Sequence, residues 1–486
     1  MINTYNLIRE GINIISKRFR GLAIFVVIFV ALSLMVGCVE TKPVSSDIVS
    51  NISIESINVT NAMEIIEELS SEKYMGRLAG THGNELAVKY IENYFKEIGL
   101  ESPEGLDEFR QTYPQKVLIN EAAPIIRIED KNGNIDKEFD FLLDYRIMAI
   151  WQDVKVQGST TAEMVVINSA LDINNSNEDL DGKILLIDNS IVAGNPNGAY
   201  NILQMVLKLN QQIEGIIINL DNRNSEYYIV STSLFGVDRG NKVDAFNNKT
   251  GPIMAYCTDE AFAELSQAAS EGKKLHMEVN YNYRDDISHN VIGVIPGSED
   301  ESKEYIIISA HLDHVGDNKD GTYNPGAFDN ASGTAALMEI ARVLTSTEAT
   351  PKKTIVFLAF NGEEQYLYGS NYYVNNPLYP LKDTVLINMD MVGSKEIIPL
   401  KISGELDLLK NKLYDLALEL GLDVVKDADV ASDQRPFNQA GVEAVTLIHH
   451  DVSKIHTPKD TIEYIDSNRL EEVIGFVLNY IDRYGY

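Results

Sequence analysis

Hydrophobic and polar positions alternate along the chain with three distinct rhythms. In "NAMEIIEELSS" (61–71) and "GNELAVKYIENYFKEIGL" (83–100) apolar residues recur every three or four positions, the period of a helix with one buried face, with Asn84 as cap and Gly99 as stop. From about Thr112 to Asn282 short apolar runs ("TTAEMVVINS", "GKILLIDNS", "EGIIINLDN", "GPIMAYC") alternate with two helical segments, "NGAYNILQMVLKLNQQ" and "TDEAFAELSQAASEG". This stretch reads as an αβ module of its own. After "HNVIGVIPGS" four unbroken apolar runs follow, "EYIIISAHLD", "KTIVFLAFNGE", "DTVLINMDMVG" and "VEAVTLIHH", separated by helical patterns near 332–347, 364–375, 404–420 and 467–485. Strands apolar on both faces and bounded by helices predict an α/β fold. Its sheet is mixed and mostly parallel, with helices on both faces.

Such sheets bind ligands beyond the carboxyl ends of their strands. At each of those ends stands a side chain of metal-binding type. "AHLDH" supplies His311 and Asp313, "NGEE" supplies Glu363 and Glu364, "NMDMVG" supplies Asp390 and "KIHTPKDT" supplies His456, while "GAFDNASG" puts Asp329 just before a helix opening near Ser332. Any one of these alone is an ordinary turn or surface feature. Together and in order they form the nitrogen and oxygen set that zinc favours, in which a carboxylate can bridge a metal pair. Adjacent glutamates at the end of a buried strand repel each other, so a cation or a division of labour is expected there.

The ordered set His-x-Asp, Gly-Ala-x-Asp-Asn-Ala-Ser-Gly, Gly-Glu-Glu, Asp and His-Thr-Pro-x-Asp-Thr resembles the M28 family of co-catalytic zinc metallopeptidases, which includes many aminopeptidases. The resemblance spans 61–111, with "GRLAGTHGNELAVKYI", and 283–486; the 112–282 segment resembles an inserted protease-associated domain. It implies two zinc ions per subunit, His311 and Asp390 on one, Glu364 and His456 on the other, and Asp329 bridging. It also implies that Asp313 orients His311, that Glu363 is the general base, and that the Asp329–Asn330 peptide is cis. Two departures stand out: Ile455 occupies the place where the family often has Tyr, and Gln434 the place where His is frequent. His314, His449 and His450 match no part of the pattern and are expected to be structural or surface residues.

The resemblance further implies peptide substrates and an aminopeptidase, with a carboxypeptidase or dipeptidase, or a glutaminyl cyclase-like acyltransferase, as alternatives within reach of the same scaffold. A carboxypeptidase needs cations to grip a terminal carboxylate, and Arg435 is the one candidate. A non-catalytic ectodomain on this scaffold would have no need of an intact ligand set and base. The formal charge of −31 argues against a nucleic-acid partner.

Composition adds a location. The apolar stretch "GLAIFVVIFVALSLMVGC" follows Lys17, Arg18 and Arg20 and ends in Cys38, the form of an export signal (1–37) with a lipobox-like close. Gly21 to Gly37 also just reaches the ~17-residue lower limit for a membrane span, so an uncleaved anchor helix is the alternative. Either form tethers the protein to the membrane from outside the cytoplasm, with 38–60 as a polar tether. Oligomeric state is not readable from the sequence.

Overall fold

The computed structural model describes residues 51–106, 108–147, 154–169, 179–191, 198–209, 211–219, 251–298 and 304–486. The export signal, Cys38 and most of the tether lie outside the described residues. Among those described, no helix is long and apolar enough to cross a membrane.

Among the described residues fourteen strands run in chain order: β1 (Arg110–Glu129), β2 (Ile135–Glu138), β3 (Tyr145–Ile147), β4 (Gln157–Ile167), β5 (Ile184–Ile187), β6 (Gly215–Asn219), β7 (Ile253–Cys257), β8 (Lys274–Ile295), β9 (Tyr305–His311), β10 (Thr354–Phe360), β11 (Thr384–Met389), β12 (Leu400–Ser403), β13 (Val424–Asp427) and β14 (Glu443–Ile448). At the centre of one half β10, β9, β11 and β14 are parallel neighbours, flanked by antiparallel β8 on one side and by β12 and β13 on the other. This is the mixed, mostly parallel sheet that the apolar runs predict. In the other half β4, β5, β6 and β7 are parallel, with β3 antiparallel at the rim.

The two halves share a ribbon that sequence periodicity does not reveal. β8 pairs antiparallel with β1 along nearly its whole length; its other edge holds β4 near the start and β10 near the end. The ladder is interrupted by register breaks between Asn120, Ala122 and Ile125, the positions where a bulge adds twist.

Both faces of the β9–β10–β11–β14 core are covered. On one, helix Ser332–Thr345 is so enclosed that only Arg342 and Thr345 reach solvent, and it packs on helices Val59–Leu69 and Ser467–Gly485. On the other, Phe360, Tyr373 and Phe437 join Ile307, Val356 and Leu386 beneath helices Tyr368–Asn375 and Gln434–Gln439.

Order starts earlier than a tether through residue 60 implies. Ile52 is buried, Asn51 N–H donates to Asp482, and Asn58 N–H donates to Glu339 Oε1 at 2.6 Å. Asn58 then caps the first helix by accepting Asn61 N–H. The second helix, His82–Glu97, is capped by Thr81 and not by Asn84, whose side chain is used inside the protein to donate to the Arg77 carbonyl and to Asn361. Gly99, at φ +84°, follows the helix end as expected.

Candidate metal centre

The four central strands end at one edge of the sheet, and the candidate residues meet there. His311 is the last residue of β9; Glu363 and Glu364 follow β10, and Asp390 follows β11. His456 lies in the loop after β14, and Asp329 lies just before helix Ser332–Thr345. All are buried. The Asp329–Asn330 peptide is cis, as the resemblance implies.

Two donor groups share Asp329. In the first, His311 Nε2 is 3.3 Å from Asp390 Oδ1 and 3.4 Å from Asp329 Oδ1. In the second, His456 Nε2 is 2.9 Å from Asp329 Oδ2 and 3.1 Å from Glu364 Oε2. The second group has a further member. His314 Nδ1 sits 2.9 Å from Glu364 Oε1, so His314, Asp329, Glu364 and His456 converge while His311, Asp329 and Asp390 form the other set. His314, expected to be a structural or surface residue, is buried, hydrogen-bonded to Glu364 and one of a set that could hold a metal ion. The turn after β9 folds it back into the site, held by its N–H to the Arg77 carbonyl at 3.4 Å.

The donor chemistry fits divalent metal. Bonds of 2.0–2.1 Å arranged tetrahedrally set neighbouring ligand atoms about 3.3 Å apart, and the separations above lie close to that value. Three carboxylates crowded among imidazoles, with no cationic side chain inserted between them, also form a set that a dication stabilises.

Surrounding residues fix the donors. Asp460, in "HTPKDT", accepts the N–H groups of Phe328 at 2.7 Å and Asp329 at 3.0 Å, holding the shared aspartate in place. Asn330 donates to the Met389 carbonyl and accepts from Gly333 and Met391, tying the Asp329 turn to the end of β11. Ser432 Oγ donates to Asp390 Oδ2 at 2.7 Å and accepts from Asn388, which in turn accepts from Ser309. The guanidinium of Arg77, fully buried, donates to the carbonyls of Leu69, Leu312, Pro325 and Gly326, and so locks both metal-edge loops to the N-terminal helices. Burial lowers its pKa to about 10, against the attraction of Asp460, Asp329, Asp313 and Glu364.

Asp313 stands beside His311 and also holds the turn of the two glutamates. Its carboxylate accepts Glu363 N–H at 3.1 Å and Glu364 N–H at 3.3 Å, and is 3.7 Å from His311 Nδ1. The imidazole is nearer to Asp313's own carbonyl oxygen, at 3.3 Å. Asp313 thus anchors both glutamates at once.

Those two glutamates stand in opposite electrostatic surroundings. Burial pushes the Glu363 carboxyl well above its ordinary range; His311 opposes this, while Glu364, Asp390 and Asp433 add to it. For Glu364 burial acts upward too, but the charge of His456 and hydrogen bonds from His314 and His456 hold it well below. The charge of His311 thus acts on Glu363 and that of His456 on Glu364. Asp433 is completely buried, and burial raises it to about 7.

The remaining singled-out residues are structural. Gln434 accepts from Ser432 N–H and Thr446 Oγ1 and donates to the Val430 carbonyl. His449 accepts Gly393 N–H, in agreement with its expected structural role, and Arg435 is exposed.

Residues 290–481 match Peptidase family M28. The chain is 30% identical over 240 residues to aminopeptidase YwaD of Bacillus subtilis (strain 168), which covers 46% of this chain and 50% of that protein; the chain thus spans half the length of this relative. Among solved structures, an aminopeptidase from Aneurinibacillus sp. strain AM-1 superposes with a TM-score of 0.63 at 23% identity, over 89% of this chain and 95% of that one. The zinc aminopeptidase BSAP from Bacillus subtilis superposes with a TM-score of 0.62 at 22% identity, over 88% and 95%. These superpositions establish the fold across both halves of the sheet.

Proposed function

Because residues 290–481 match peptidase family M28, we propose that the chain is a zinc-dependent aminopeptidase with two zinc ions per subunit, acting on peptides outside the cytoplasm while tethered by its N-terminus. The observation that carries this reading is the pair of buried donor groups sharing Asp329, with Glu363 beside them and engaged by neither. His311, Asp390, Glu364, His456 and Asp329 would hold the metal. When bound, the pair supplies Lewis acidity toward a peptide carbonyl and acidifies water.

The chain's own residues do the rest. Glu363, buried and held by its N–H to Asp313, has a carboxyl with raised proton affinity. A base of that kind takes a proton from attacking water and returns it to the departing amine. The surrounding carboxylates favour an ammonium group over a carboxylate at this edge. Arg77 is committed to four carbonyls and Arg435 is exposed, so neither is offered to a C-terminal carboxylate. The names of the relatives point the same way. Two donor groups also weigh against a glutaminyl cyclase working with one zinc.

In this reading 61–111 and 283–486 form the catalytic part, and 112–282 is a protease-associated insertion that shapes access. No residue of 112–282 belongs to either donor group among the described residues. Cys38 carries lipid after removal of 1–37, with an uncleaved anchor as the alternative.

The test is release of free amino acids from unblocked and N-acylated peptides, with and without chelator. Release confined to unblocked peptides and lost with chelator supports the proposal; equal cleavage of acylated peptides, or release from the C-terminus, would reject it. For the tether, Cys38→Ser should abolish processing, and an unchanged mature mass would favour the anchor helix.

A further inference from the structure

We infer that His314 is a sixth protein ligand, which makes the two metal positions unequal: a four-ligand position (His314, Glu364, His456, Asp329) that binds first and holds its ion, and a three-ligand position (His311, Asp390, Asp329) that exchanges. This rests on the zinc peptidase reading above.

The geometry separates this from the blander possibility that His314 only orients Glu364 by a hydrogen bond. A group that orients a carboxylate sits behind it, away from the other donors. His314 Nδ1 instead faces the space shared with the other ligands, 2.9 Å from Glu364 Oε1 and 3.9 Å from Asp329 Oδ2, and its ring lies 5.4 Å from that of His456 in an edge contact. His456 Nε2 lies 2.9 Å from the same Asp329 Oδ2 and 3.1 Å from the other Glu364 oxygen, Oε2, so Glu364 presents one oxygen to each imidazole and the four nitrogen–oxygen separations lie on either side of the edge of about 3.3 Å expected for tetrahedral zinc.

The surrounding chain keeps a place for the ring. Gly326, at φ +61°, approaches so closely that a β-carbon there would lie 2.5 Å from His314 Cδ2 and from the Asp329 carbonyl oxygen. Only glycine leaves both the ring and the shared aspartate where they are.

The chemical consequence follows from ligand count. Four protein ligands close a tetrahedral site, the pattern of zinc that is retained; three leave one place for water or substrate, the pattern of zinc that reacts.

The experiment is a zinc titration of metal-free full-length protein against a competing chromophoric chelator, for the parent, His314→Ala and His314→Asn. X-ray absorption at the zinc edge is recorded on the parent at one equivalent. The parent should bind two ions in separable steps, the first with two imidazoles. Both variants should lose more than ~100-fold in the first step, beyond the 10–100-fold that loss of an orienting partner costs. One imidazole on the first zinc overturns the inference without needing a folded variant. Unchanged first-step affinity in His314→Ala, or full rescue in His314→Asn, whose amide can still donate to Glu364, overturns it as well. In each of those cases a total of two ions leaves the peptidase reading standing, whereas binding of fewer than two ions by the parent sinks that reading and this one together.

Discussion

Replacing Asp313 with Asn removes one charge and exchanges one oxygen for an NH₂ group in a fully buried place. In the parent each carboxylate oxygen accepts a main-chain N–H, Glu363 at 3.1 Å and Glu364 at 3.3 Å. Hydrogen bonds to a charged partner are worth roughly 1.5–3 kcal/mol each, against about 1 for a neutral one. The asparagine can satisfy one N–H as a neutral acceptor. The other then faces a second donor and is left unpaired, at about 1–3 kcal/mol. The sum is a loss of roughly 2–4 kcal/mol, concentrated on the turn that carries both glutamates. Because an error of about 1 Å in a reacting group can cost ~10²-fold in rate, kcat should fall by about that factor. Zinc content should hold at saturating metal, with affinity at the Glu364 position falling by no more than the ~10–100-fold that loss of a supporting partner costs. Steady-state hydrolysis of an aminoacyl anilide, chemical denaturation and metal analysis on the same preparation measure all three. A variant with the parent's kcat and stability would refute the idea that Asp313 holds the glutamate pair.

Three other outcomes are expected. Glu363→Gln should keep both metals while turnover falls by at least ~10²–10⁴-fold, whereas Glu364→Gln should lose one metal; the reverse pattern in metal analysis would exchange their roles. Arg77→Met leaves four carbonyls without their donor and should destabilise the protein by at least about 4 kcal/mol in chemical denaturation; a loss below about 1 kcal/mol would show that the loops are held by something else. His449 is lowered to about 3, by burial first and then by Arg469, so the folded state binds fewer protons there than the unfolded chain does and stability falls as pH drops below about 6.5 toward 3. Between pH 7 and pH 5 that amounts to about 2 kcal/mol, which His449→Gln should remove from the pH dependence of denaturation.

The half that holds the donor groups was legible in the sequence because its strands are apolar on both faces and each ends in a chemically distinctive residue. Helix ends were also legible where glycine marks them, as at Gly99. Asn84 misled because its residue type suits a cap, yet tertiary contacts with Arg77 and Asn361 claimed its side chain. β1 escaped because Pro114 and Pro124 lie within it; over most of its length it pairs only with β8, where an otherwise unpaired edge tolerates proline. β12 and β13, four residues each, are too short to show a period. His314 lies outside the ordered pattern, and only the fold of the turn after β9 reveals it. Spacing alone offered one hint: it stands three residues beyond His311, immediately after the Asp that both glutamates use. Ser432 and Asp460 bind through hydrogen bonds to residues more than 40 and 130 positions away, which no local rhythm encodes.

The ribbon of β1 and β8 has a mechanical meaning. A lobe hung from two loops swings as a gate does, because its hinge resists nothing. This lobe is carried instead on a long ladder of main-chain hydrogen bonds, whose rotation as a rigid door would mean breaking rungs. What such a beam permits is flexing at its crease, the stretch from Asn120 to Ile125 where the register breaks. The second half of the molecule is therefore held at an angle set by this beam, and a change of that angle is concentrated where the register breaks.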